Sequence, residues 1–192
     1  MARRDAQDPG AQDSAPRIPA AAAAIVALLN TRPHATPQFP DTLADPEKSA
    51  AVLRPFGHPD CVPPSPERIA AVRAVRSTLM DLVSAPSEQA WAALNQHAAT
   101  VTLRQDFSAP GRVQLHPLDG DPVLGAILLT VGGLITDGLW PRLRICAGET
   151  CHGVFYDPTR SRNQRWHSYE TCGNRANVAA FRSRRRAPDS VG

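Results

Sequence analysis

Three of the four cysteines in this 192-residue chain lie near its C-terminus, at Cys146, Cys151 and Cys172, with His167 shortly before the last. As a spacing this is C-x4-C-x15-H-x4-C, two close pairs joined by a longer segment. No other feature constrains the fold as strongly. A single tetrahedral zinc staples two short elements together when each supplies a close pair of donors. Zinc prefers thiolate sulfur and imidazole nitrogen, and a structural site fills all four positions with protein. Cys146, Cys151, His167 and Cys172 are therefore the expected ligands of one structural Zn2+. His152 is a rival for the fourth place, but it adjoins Cys151, and neighbours in sequence reach one tetrahedron less easily. Two plainer readings compete. Free cysteines bury well as small apolar side chains, yet this segment is polar and arginine-rich. A disulfide would leave one of the three unpaired, in a chain with no secretory context.

The same residues carry a resemblance. Cys146 and Cys151, Phe155-Tyr156-Asp157 followed by Thr159-Arg160, Arg165-Trp166, and Cys172-Gly173-Asn174-Arg175 leading into a basic segment resemble the CGNR zinc-finger family over about Arg142 to Arg186. The resemblance implies a cytoplasmic, bacterial-type transcription regulator with an ABATE-type N-terminal domain that senses a small molecule. Members usually have cysteine directly after the tryptophan, where this chain has His167. Histidine also ligates zinc, so the expected site is Cys3His.

Charge is unevenly divided. Residues 142–192 hold ten arginines against four acidic residues, a net +6, which leaves −3 on the remainder of a chain whose total is +3. A basic C-terminal module on a mildly acidic body points to a polyanionic partner.

Residues 1–17 are nearly devoid of apolar side chains, so they cannot offset their ordering entropy and read as a disordered arm. Asp5, Asp8 and Asp13 precede the Ala-rich run Ile18 to Leu29 and offset the arginines there, where a signal peptide would be net positive, which argues for a helix. Leu28-Leu29-Asn30-Thr31-Arg32 loosely resembles the opening of the ABATE domain. Asp45-Pro46-Glu47 and Ser65-Pro66-Glu67 are helix starts, with a capping side chain, Pro at the first position and an acid facing the dipole. Ile69, Val72, Val75, Leu79 and Leu82 recur at helical spacing, and Arg68, Arg73 and Arg76 are expected on the solvent side. A further helix starts at Ser87. The lone Cys61 reads as incidental.

The period then changes to two. Val101 and Leu103, then Val113 and Leu115, alternate with polar residues around the turn Ser108-Ala109-Pro110-Gly111, predicting a hairpin apolar on one face. Asp121-Pro122 opens a core helix whose uncharged run, Pro122 to Thr136, is 15 residues, short of the ~20 needed to span a bilayer. The expected fold is α+β and mostly α. A disordered arm (1–17) precedes an α-rich ABATE-like domain with one hairpin (18–140), a ββα-like zinc module ending in a basic helix (141–186) and a tail (187–192).

In that last helix Arg175, Arg182 and Arg186 share a stripe that Arg184 and Arg185 broaden, with Val178 and Phe181 expected to face the protein. Arginine forks match phosphate and the guanine major-groove edge, which makes DNA the expected partner and these five arginines the expected contacts. The competing reading is a zinc-stapled module that binds protein or RNA. The sequence has no Gly-rich phosphate loop, nucleophile elbow or H-E-x-x-H motif, and no enzymatic activity is expected. Trp166 is expected to pack on the module's core.

Overall fold

The computed structural model describes residues 18–186 apart from Cys61, Ala109 and Arg112, with the backbone alone for Ser183 and Arg186. The arm expected at 1–17, the tail at 187–192 and the reading of Cys61 lie outside these residues.

Five helices form the body: α1 (Ala20–Leu29), α2 (Pro46–Leu53), α3 (Pro66–Ser84), α4 (Glu88–Ala98) and α5 (Pro122–Thr136). Four of them start at a side-chain cap, as their sequences predict. Asp45 Oδ1 accepts from the N–H groups of Glu47 and Lys48, both at 3.1 Å. Ser65, Ser87 and Asp121 do the same for α3, α4 and α5. Each such cap contributes about 0.5–2 kcal/mol. The apolar faces of α1, α3 and α5 meet in one core, where Ile25, Leu28, Leu79, Leu82, Ile127 and Leu134 are fully buried. Each of these side chains contributes about 1.5–3 kcal/mol by leaving water.

The hairpin pairs β1 (Thr102–Asp106) antiparallel with β2 (Gln114–Asp119). It packs on α5 at Gly125, where an added Cβ would lie only 2.8 Å from Pro117. Its apolar face is less covered than the alternation predicts, with Leu103 40% and Leu115 42% exposed. A two-stranded sheet with one helix beneath it has no second layer to close that face.

The arginines of α3 also depart from expectation. Arg76 is buried, and its guanidinium forks onto both carboxylate oxygens of Asp41 at 2.8 Å while donating to Thr31 Oγ1 at 2.8 Å. Arg73 joins it on Asp41 at 3.1 Å. Arg68 donates to Asp121, the cap of α5, at 2.6 Å. These side chains hold loops to α3 and are not a freely solvated face. Periodicity marks a polar stripe on a helix but does not reveal that a carboxylate from a distant loop will cover it.

The second two-stranded sheet, β3 (Leu143–Ile145) and β4 (Val154–Tyr156), is antiparallel. Leu143, Val154 and Tyr156 belong to the main core, so the hairpin carrying the cysteines grows directly out of the body. A wide π-type turn, Tyr169–Gly173, then leads into α6 (Asn174–Arg186). Among the described residues, no helix is long and apolar enough to cross a membrane.

Candidate metal centre and nucleic-acid interface

The ligand atoms of Cys146, Cys151, His167 and Cys172 all lie within 4.8 Å of one another. The β3–β4 hairpin delivers the first pair. Cys146 N–H donates to Gly153 O at 2.8 Å, extending the ladder, and Cys151 N–H donates to Gly148 O at 3.0 Å, closing the knuckle. The segment before α6 delivers the second pair. Ser168 caps the turn by accepting from Thr171 N–H at 3.2 Å, and Cys172 N–H donates back to Ser168 O at 3.1 Å. Ala147 N–H donates to Arg165 O at 2.9 Å and ties the two halves together.

The donor set fits zinc. Zinc–sulfur and zinc–nitrogen bonds at a tetrahedral angle set sulfur and nitrogen roughly 3.6 Å apart. His167 Nδ1 lies 3.4 Å from Cys151 Sγ and 3.7 Å from Cys172 Sγ, and the three cysteines are free thiols. Burial pushes the Cys151 thiol up to about 11, against the lowering effect of the Gly153 N–H and with the Cys146 and Cys172 thiols adding to the rise. The Cys151 thiol thus resists ionising in this crowded cluster, and a divalent cation removes that resistance. These four residues form the zinc-binding site. His152 is not part of it: its Nε2 is 3.0 Å from Glu149 O, and its backbone is left-handed at φ 55°.

Behind the ligands, side chains of the same motif hold the backbone. Asp157, fully buried, accepts from Thr159 N–H at 2.9 Å, Thr159 Oγ1 at 2.5 Å and Gln164 N–H at 2.8 Å. Burial pushes its carboxyl up, but these bonds and the Arg144 charge outweigh it and hold it below the usual carboxylate range. Arg142 donates to the carbonyls of Asp157 and Thr159 at 3.0 and 2.9 Å. Asp157 and Arg142 together fold the loop that brings Trp166 and His167 to the cysteines. Trp166 packs against the cysteine cluster and meets Tyr169 edge-on. Gly173 is required by close approach, since a Cβ there would sit 2.8 Å from the Tyr169 ring and 3.3 Å from Trp166. Asn174 Nδ2 donates to Glu170 O at 3.1 Å, satisfying backbone near the metal.

The knuckle is also clasped to the end of α1. Asn30 Nδ2 donates to Val154 O at 2.8 Å while Asn30 Oδ1 accepts from Val154 N–H at 2.7 Å, so one side-chain amide occupies the place of a neighbouring strand. Arg32 Nη2 donates to His152 O at 2.5 Å, and Thr36 N–H donates to Thr150 O at 2.9 Å. In the sequence Asn30-Thr31-Arg32 carries no sign of this contact beyond its polarity. Its signal was three polar residues directly after an apolar helix.

The stripe of α6 differs from expectation in one respect. Val178 and Phe181 do not face the protein, being 47% and 54% exposed. The first turns of α6 adjoin the ligand cluster and the knuckle, and the residues from Asn177 to Arg182 are exposed. Among the described residues, the guanidiniums of Arg175, Arg182, Arg184 and Arg185 have no carboxylate partner. Arg186 occupies the last turn, and its side chain lies outside the described set. Arg175 does not pair with Glu170.

Elsewhere, a cleft of about 490 Å3 opens between the β1–β2 hairpin and α5, lined by Val101, Leu103, Leu115, Leu128, Leu129 and Gly132 among others. Comparison with known families gives two matches. The ABATE family, described as "Putative stress-induced transcription regulator", matches residues 5–138, and the CGNR zinc finger matches residues 142–185. A search of curated proteins returns no match.

Proposed function

Because the chain belongs to the ABATE family and ends in a CGNR zinc finger, we propose that it is a cytoplasmic, bacterial, DNA-binding regulator whose contacts are made by α6. The observation that carries this reading is a zinc-anchored helix presenting unpaired arginines to solvent. Arg182, Arg184, Arg185 and Arg186 supply phosphate contacts. Arg175, one turn past the metal, sits where a recognition helix meets base edges. The finger works by binding and not by catalysis, since four protein donors leave zinc no open position.

The test is a titration of duplex DNA over a range of salt. Replacing Arg182, Arg185 and Arg186 with Ala should weaken binding to all sequences and reduce the salt slope by about one unit per lost phosphate contact. Arg175→Ala should instead blunt discrimination between sites, and Arg175→Lys should not restore it. Identical affinities and slopes in wild type and the triple variant would remove α6 from the interface and favour a protein partner.

We further propose that the cleft between the β1–β2 hairpin and α5 admits a small apolar effector. Gly132 lines the cleft and an added Cβ there meets nothing within 4 Å, so Gly132→Leu is the variant chosen to occupy it. A panel of apolar ligands should raise the melting temperature of wild type and leave Gly132→Leu unmoved. Equal shifts in both proteins would place any effector elsewhere.

A further inference from the structure

Val178 and Phe181 are exposed on a helix whose other residues are alanine, arginine, asparagine and serine, and the fold makes no use of them. They are three residues apart and lie one above the other. Asn174 and Arg185 complete that stripe at helical spacing, and Arg175 and Arg182 run beside it. Arg175, Val178 and Arg182 line one shallow groove with Glu170, Thr171 and Asn174. The Arg185 guanidinium lies 5.7 Å from the centre of the Phe181 ring. The result is a narrow apolar seam bracketed by cations.

We propose that this seam reads the C5 methyl groups of thymine in the DNA major groove, while the bracketing arginines hold phosphate or guanine. The inference rests on the DNA-binding reading of α6 and adds the base feature recognised. The thymine methyl is the one apolar group on the major-groove edge, and small apolar or aromatic side chains are what contact it. Charge complementarity selects this occupant. A second copy of α6 would bring like charges together across the seam, and an uncharged protein groove would leave the guanidiniums unanswered. Insertion into a lipid surface calls for a broad apolar face, and two side chains make a narrow one.

The experiment uses the full-length zinc-loaded chain and a duplex selected by it from random sequence. Each thymine in turn is replaced by deoxyuridine, which removes the methyl and keeps the base pair. Wild type should lose about three- to fivefold in affinity at one or two positions, the effect of one methyl-sized group. Val178→Ala and Phe181→Ala should bind the thymine and deoxyuridine duplexes alike at those positions while retaining full zinc content. The thymine-to-deoxyuridine ratio is the readout, because loss of Phe181 also frees Arg185. Equal binding of wild type to both duplexes would overturn the methyl reading and leave DNA binding standing. Failure to bind any duplex would overturn both, and binding to phosphatidylserine vesicles instead would assign the face to a membrane.

Discussion

Around the metal centre the separate buried set is Cys146, Phe155 and Cys172, with Cys151 and Trp166 packed against it. Among the described residues, the main core built around α1, α3 and α5 holds 22 buried side chains, all aliphatic or aromatic. Both regions keep a fixed backbone, but by different means. The body removes apolar surface from water across many side chains, so no single one is decisive. The finger has too little apolar surface for that, and its order rests on four donors converging on one point. The first design degrades gradually under substitution, and the second is expected to fail at once when the metal leaves.

Removing zinc should therefore have the largest effect, and a local one. Binding of structural zinc in isolated fingers is worth about 10–16 kcal/mol. Cys172→Ala, or treatment with a strong chelator, should abolish amide exchange protection in the knuckle from about 146 to 153 and from about 165 to 182, and leave α1, α3, α5 and the core strand residues Val154 and Tyr156 protected. Collapse of protection throughout the chain would show that the regions are one cooperative unit. Leu79→Ala or Ile127→Ala should act in the opposite sense. Either should lower the stability of the body by about 2–5 kcal/mol in a urea titration, with one zinc per chain retained at native conditions.

The clasp sharpens the comparison. Asn30→Ala leaves the N–H and carbonyl of Val154 without their side-chain partner, at a cost of about 1–3 kcal/mol. It should accelerate exchange at Val154 while zinc content holds. Unchanged exchange there would show that the amide contributes nothing to the joint.

A smaller effect is expected from acid. Hydrogen bonds from Arg76 hold Asp41 below the usual carboxylate range, with burial opposing them. A depressed pKa gives stability that is full above the unfolded carboxylate value and lost as pH falls through the folded one. Asp41→Asn should flatten the acid limb of the body's stability profile, measured by urea midpoints between about pH 2 and 6. The finger should follow a different acid limb, because His167 and the thiols must be deprotonated to bind metal. The smallest change should come from His167→Cys. Four thiolates suit zinc at least as well as three and an imidazole, so competition against a chelator should show equal or tighter binding.

What could be read in advance follows the same division. The ligands were legible because spacing alone limits which residues can reach a common metal, and the caps because Asp-Pro-Glu and Ser-Pro-Glu act within one turn. The burial of Arg76 was not, since its partner Asp41 lies on a loop that only the folded chain brings over α3. The exposure of Val178 and Phe181 was missed for a related reason. Their spacing marks a seam on α6 but cannot say whether anything packs on it, and here both side chains are exposed. Asn30 could be noticed and still not understood, because pairing an amide with Val154 depends on a contact 124 residues away in sequence.

That contact has a bearing on solubility. A two-stranded sheet presents unpaired backbone along its outer edge, a template on which another chain can add a strand. Val154 lies on the outer edge of β4, and Asn30 takes both of its hydrogen-bonding groups. The amide therefore works as an edge guard, and chains lacking it should aggregate faster at high concentration even while each molecule still holds its zinc.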